Sequence, residues 1–201
     1  NFEGSDETGF EDAISNAEKS DIVIVCLGEE REWTGENASR STIALPAIQE
    51  SLLQRLKKVG KPLILVLSNG RPIELIRMEP LCDGIIEIWQ PGTLGGTALA
   101  GILSGRVNPS GKLAITFPLT SGQIPLYDAV RPGARPLDGK CLAVSTEPLY
   151  GFGHGLSYSN FTYGPAKLSS EKIKKTEKLN VSVTVTNTSS VKGKETVLWY
   201  I

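Results

Sequence analysis

The sequence predicts an α/β fold: a three-layer αβα sandwich on a mostly parallel sheet, followed by an incomplete antiparallel β-sandwich. Three observations carry that expectation. Ile22–Leu27 and Pro62–Leu67 are β-branched or aliphatic runs without polar alternation, the pattern of strands buried on both faces of a parallel sheet. Segments with apolar residues at helical spacing alternate with these runs, which implies right-handed crossovers. After Pro118 the pattern gives way to scattered prolines, glycines and aromatics, and then to strict period-two alternation from Lys178.

The elements follow in chain order. Phe10, Ala13, Ile14 and Ala17 share one face, so residues 8–19 read as an amphipathic helix. Ile22–Leu27 is the first strand and residues 28–45 are a polar loop. Pro46 suits the first helical position of a segment whose stripe is Ile48, Leu52, Leu53, Leu56 and Val59, stopped by Gly60. Pro62–Leu67 is the second strand, closed by Ser68-Asn69-Gly70-Arg71-Pro72. Gly84–Trp89 is the third, residues 96–104 form a short helix, and Lys112–Phe117 is a fourth strand after the Asn108-Pro109-Ser110-Gly111 turn. These readings place an α/β domain at residues 1–120, a linker and interdomain segment at 121–163, and the start of a β-sandwich at 164–201. Asn1 is not an initiator Met and the last residues stop inside a strand pattern, so the sequence reads as a piece of a longer polypeptide with no leader visible.

Composition removes several function classes. The 201 residues carry 21 Lys+Arg against 22 Asp+Glu, so the basic footprint of a nucleic-acid binder is missing. No apolar run approaches the roughly 18 residues of a membrane span. One histidine, His154, and three cysteines without a C-x-x-C give no metal-binding spacing. Chemistry is left to carboxylates, hydroxyls and backbone.

Geometry points to one region. In a parallel α/β sheet, ligands bind beyond the carboxyl ends of the strands, and three loops leave those ends: Gly28–Leu45, Ser68–Pro72 and Gln90–Gly95. The first is far longer than the roughly two to six residues such a turn needs. It holds Glu29, Glu30, Glu32 and Glu36 beside Trp33 and Arg40, which suits a proton donor, an aromatic platform and a cationic anchor. The plain alternative is a solvated acidic loop whose glutamates face water. Elsewhere, Gly151-Phe152-Gly153-His154-Gly155 lacks the strand-then-helix context of a dinucleotide fingerprint and reads as a turn. His154 reads as a packed linker residue and Cys26 as a small core residue. Asn37, Asn160, Asn180 and Asn187 head N-x-Ser/Thr sequons.

Read in order, the motifs resemble one family. Gly28-Glu29, Gly35-Glu36-Asn37-Ala38-Ser39-Arg40, Leu45-Pro46-x-x-Gln49, Asn69-Gly70-Arg71-Pro72, Trp89-x-x-Gly92-Thr93-x-Gly95-Gly96, Asn108-Pro109-Ser110-Gly111-Lys112-Leu113, Gln123-Ile124-Pro125 and Pro148–Tyr158 together resemble the C-terminal part of glycoside hydrolase family 3, of the bacterial periplasmic β-glucosidase type. The resemblance implies a TIM-like barrel preceding this chain with the nucleophilic Asp, an α/β domain supplying the general acid/base, and a fibronectin-III-like domain at 164–201. It puts the acid/base on Glu36, with Glu32 as its rival. Trp33 and Arg40 become substrate-binding candidates, and Arg40 could also hold the loop by a bidentate contact. The family's carboxylate between Gly92 and Gly95 is replaced here by Leu94, and Asn37, Ala38 and Ser39 also depart from the family pattern.

The implied activity is exo-acting retaining hydrolysis of a terminal β-linked sugar, from an oligosaccharide or β-glucoside, with no metal or cofactor. The resemblance also implies a periplasmic or secreted location and an isolated chain that is inactive, since one of two carboxylates lies outside it. Three alternatives stay open: β-xylosidase specificity, a non-catalytic carbohydrate-binding or scaffold module of the same fold, and a nucleotide- or flavin-binding doubly wound domain. The last is disfavoured by the lack of a Gly-rich turn after the first strand.

Overall fold

The computed structural model describes residues 4–128 and 145–200. The described chain falls into two units. One is drawn from residues up to Leu99 together with Leu113–Phe152, the other from Ala100–Lys112 and the chain from Gly153 onward.

The first unit is a three-stranded parallel sheet with helices. Strand β1 (Val23–Gly28) pairs with β2 (Leu63–Ser68), and β2 with β3 (Gly84–Glu87), in the order β1-β2-β3. Val25 faces Leu65, and Leu65 faces Ile85. Helices α1 (Phe10–Glu18) and α2 (Ala47–Lys57) lie within one or two residues of the segments read from the sequence. Leu63, Leu65 and Leu67 are fully buried, in one cluster with Ala17 of α1, Leu53 and Leu56 of α2, and Ile73, Leu75 and Met78 from the β2–β3 connection. Arg55 of α2 reaches back over the Phe10 ring, 5.7 Å from its centroid, and pairs with Glu7 at 3.1 Å and with Glu11. This adds a polar link between the two segments beside their apolar stripes.

Two expectations about this sheet need correction. β1 is buried on one face only: Val23, Val25 and Leu27 pack on the cluster, whereas Ile22 (52 % exposed), Ile24 (48 %) and Cys26 point outward. α1 and α2 share the inner face, so β2, with Val66 also buried, is the strand closest to the expected two-sided burial. Cys26 is therefore not a core residue. The fourth strand expected at 112–117 is not formed. Phe117 makes one antiparallel bridge with Tyr150, and Pro118, which has no N–H, follows directly. Phe117 is nevertheless buried, between Trp89 (5.8 Å between ring centroids) and Tyr150 (6.4 Å).

Helix α3 spans Gly95–Leu103. In the second unit, β4 (Phe161–Tyr163) pairs antiparallel with β7 (Val185–Asn187), and β5 (Lys167–Leu168) with β6 (Val181–Ser182). The strand expected from Lys178 is thus split into two short pieces, and its side chains are more exposed than alternation suggested, Leu179 at 39 % and Val181 at 40 %. Residues 194–200 adopt no strand. Asn108 stitches this unit: Oδ1 accepts from Ser157 Oγ (2.9 Å) and Tyr158 N (2.8 Å), and Nδ2 donates to Ser159 Oγ (2.8 Å) and Lys192 O (3.1 Å). His154, expected to be packed, is exposed; partial burial and nearby Lys112 still hold its pKa below the ordinary value.

Candidate active site

The carboxyl ends of the three parallel strands are Gly28, Ser68 and Glu87, and the long loop departs from the first. Its root is fixed by backbone proximity. A Cβ on Gly28 would lie 1.9 Å from Ser68 O, so only glycine allows β1 and β2 this close. Gln49 of α2 clamps the same residue, accepting from Gly28 N at 3.0 Å and donating to Gly28 O at 2.8 Å.

The next residue, Glu29, has no exposed side-chain surface. Arg40 Nη1 lies 2.5 Å from Glu29 Oε1, Arg71 Nε lies 3.3 Å from the same oxygen, and Gly70 N donates to Oε2 at 3.3 Å. A buried carboxylate is tolerable only with such partners. The arginines then hold the rest of the loop. Arg40 Nη2 donates to Ala44 O (2.6 Å), and its guanidinium stacks 5.4 Å from the centroid of the Trp33 ring. Arg71 Nη2 donates to Trp33 O and to Ala38 O (3.2 Å). The returning leg is tied at Ile43 N, which donates to Ser121 Oγ (3.3 Å); that hydroxyl donates in turn to Glu74 (2.9 Å).

Between these anchors the tip is open. Arg31–Trp33 form a single 3₁₀ turn, Asn37 takes a left-handed backbone (φ 61°), and Glu32 and Glu36 are both exposed. Gly35, Asn37, Ala38, Ser39, Arg40 and Arg71 line an open depression beside Glu36. The sequence-predicted residues are therefore gathered on one loop, with distinct surroundings. Trp33 and Arg40 stack on each other, and Arg40 also holds the loop's base.

Residue-type reading left four participants unplaced. From the sequence Glu29 is one of four loop glutamates, proton donor or solvated, with nothing to mark it as the buried one, and Arg71, Asn69 and Glu87 carry no assigned role. Glu87, at the end of β3, is partly buried, and burial pushes its carboxyl up to about 7 against the hydrogen bonds it accepts from Trp89 N (2.7 Å) and Asn69 Nδ2 (3.1 Å). The available signal was a carboxylate inside the apolar run Gly84-Ile85-Ile86-Glu87-Ile88-Trp89. Among the described residues, no group of His, Cys, Asp and Glu is placed to hold a metal ion, and no helix is long and apolar enough to cross a membrane.

A parallel-sheet domain that presents a charged, internally braced loop at the carboxyl edge of its strands belongs to the class of α/β domains that build sites at that edge. Comparison with known proteins narrows the class. Residues 3–158 match the profile described as the glycosyl hydrolase family 3 C-terminal domain. The periplasmic β-glucosidase of Salmonella typhimurium is 38 % identical over 205 residues, covering 98 % of this chain and 27 % of that protein. A β-xylosidase of Formosa agariphila is 39 % identical over 194 residues, covering 96 % of this chain and 27 % of the other. The crystal structure of a Listeria innocua β-glucosidase in complex with isofagomine superposes with a TM-score of 0.85 at 37 % identity, over 96 % of this chain and 28 % of that one. The chain belongs to glycoside hydrolase family 3, and spans about a quarter of the length of these relatives.

Proposed function

We propose that this chain is the acid/base-bearing part of an exo-acting retaining β-glycosidase, with Glu36 as the general acid/base. The nucleophilic Asp then lies on a TIM-like barrel elsewhere in the polypeptide. The observation that supports this most is the loop's construction: a root locked by buried Glu29, Arg40 and Arg71, and a tip that leaves Glu36 exposed. A retaining mechanism needs two carboxyl groups roughly 5–5.5 Å apart, one to attack the anomeric carbon and one to protonate the leaving oxygen. In this reading Glu36 hands its proton to the glycosidic oxygen and then takes one from water. For that it must be neutral when substrate arrives, which follows once the loop meets the barrel mouth and water leaves. Glu32, also exposed on the same loop, is the competing donor. Trp33, with Arg40 stacked on its ring, offers an apolar surface to a sugar face.

The relatives named β-glucosidase and β-xylosidase match at nearly equal identity, so a terminal glucoside and a terminal xyloside are both supported as substrates. A periplasmic or secreted setting rests on the one relative named periplasmic, and residues 164–201 are assigned to the start of a fibronectin-III-like domain. The test is Glu36→Gln in the intact polypeptide. Turnover of a glucoside with a poor leaving group falls at least about 100-fold, the scale of general acid catalysis. A loss under about threefold, with Glu32→Gln losing more, moves the role to Glu32; no loss in either variant refutes the reading.

A further inference from the structure

Four local irregularities fall on one connected set of side chains. Trp89 (φ 49°) and Asn37 (φ 61°) are the two non-glycine residues with left-handed backbone among the described residues. For a bulky aromatic such as Trp89 that conformation is strained. Asn69 Oδ1 and Arg71 Nε are the two buried side-chain polar atoms that make no hydrogen bond among the described residues, Arg71 Nε keeping only its 3.3 Å ion pair with Glu29. Strain and orphaned polar atoms persist only where the surroundings over-determine them, and they gather at functional sites.

Glu87 joins the set. Its Oε1 accepts from Trp89 N (2.7 Å) and so holds the left-handed residue. Its Oε2 accepts from Asn69 Nδ2 (3.1 Å), and the same nitrogen donates to Arg71 O (2.7 Å). The Arg71 side chain then donates to the carbonyls of Trp33 and Ala38, which bracket Glu36. Direction matters in this relay. Turning the Asn69 amide over would set its oxygen against the Arg71 carbonyl, so the nitrogen must face Glu87, and Glu87 must present an acceptor. A partly buried carboxylate meets that need at a desolvation cost that an apolar residue would avoid.

We propose that Glu87 is a positioning residue: acting through Asn69 and Arg71, it fixes residues 33–38 so that Glu36 is held where a departing oxygen can take its proton. The proposal rests on the assignment of Glu36 made above, and Glu87 itself touches no substrate. A role confined to bracing the end of β3 would lower the amount of folded enzyme without discriminating between substrates.

The experiment compares Glu87→Gln and Asn69→Ala with Glu36→Gln in the intact polypeptide. Two aryl β-glucosides are used, one whose phenolate leaves without a proton and one that needs the acid. Gln keeps the size of Glu87 but sets an amide against either Asn69 Nδ2 or Trp89 N, breaking one contact. The expected result is a loss of about tenfold in kcat/KM on the acid-dependent substrate and under about twofold on the activated one, in both variants. The activated substrate reports folded active enzyme, so a stability loss alone moves both rates together. Equal losses on the two substrates, or none, alongside a clear split in Glu36→Gln, overturn the role of Glu87 and leave Glu36 in place. No split in Glu36→Gln overturns the reading beneath both.

Discussion

Neutralising Glu29 tests whether the loop is held by its buried ion pairs. In Glu29→Gln the side chain keeps its length, yet two guanidinium groups lose their shared counter-charge, one 2.5 Å away and the other 3.3 Å. Removing one partner of a buried pair costs about 3–5 kcal/mol, mostly through the charge left behind. The lower end applies here. Arg40 keeps Ala44 O, Arg71 keeps the carbonyls of Trp33 and Ala38, and the Arg71 side chain is 22 % exposed and so partly hydrated. A cost of about 3 kcal/mol corresponds to a fall of roughly 6–12 °C in the melting of a domain of 150–250 residues. Scanning calorimetry of the intact polypeptide reads this on the α/β transition. Limited trypsin digestion should cut at Arg31 or Arg40 well below that temperature in the variant and not in the wild type. Glu36→Gln, at an exposed tip, should move the same transition by less than about 2 °C, the usual scale of surface changes. A shift for Glu29→Gln as small as that of Glu36→Gln, with an unchanged digest, refutes the account of the loop's anchoring.

Other expectations follow from the same geometry. Leu53→Ala empties a fully buried position in the core cluster and should cost about 3–5 kcal/mol, read as a lowered denaturation midpoint. Gly28→Ala drives a Cβ against Ser68 O and should cost about 2–3 kcal/mol, with faster amide exchange at Glu29, whose N–H donates to that carbonyl. Glu87 gives a pH dependence of definite sign. Its carboxyl holds a proton up to about 7 in the folded state but releases it near 4.5 when unfolded, so its contribution to stability is complete below 4.5 and lost as pH rises through 7. Between pH 5 and 8, the Glu87→Gln variant should therefore show a shallower fall in melting temperature than the wild type. An equal or steeper fall contradicts that assignment.

The core strands and helices were legible because periodicity and β-branching report burial directly. Leu63–Leu67 and the stripe through Leu53 and Leu56 read correctly from spacing alone. β1 misled because an aliphatic run carries no mark of which face is covered, and Ile22 and Ile24 look like core in any window. Residues 112–117 have strand composition but gain no ladder, since pairing is a long-range event that composition does not encode. At the site, residue type singled out one loop, and Glu32, Trp33, Glu36 and Arg40 do share it. The split among its glutamates, Glu29 buried and Glu36 exposed, depends on Arg71, some 40 positions away in sequence, and on Gly70 closing over the carboxylate. Spacing carries no trace of that convergence.

The outward face of β1 has a practical consequence. Cys26 sits there among exposed isoleucines, whereas the Cys82 thiol is half-buried and pushed by desolvation up to about 11. A maleimide dye at neutral pH should therefore modify Cys26 in preference to Cys82, because the thiolate is the reacting form. With Cys141 replaced by serine, a fluorophore placed at Cys26 would give that sheet face its own optical signal, whose polarity response reports whenever another surface settles on it.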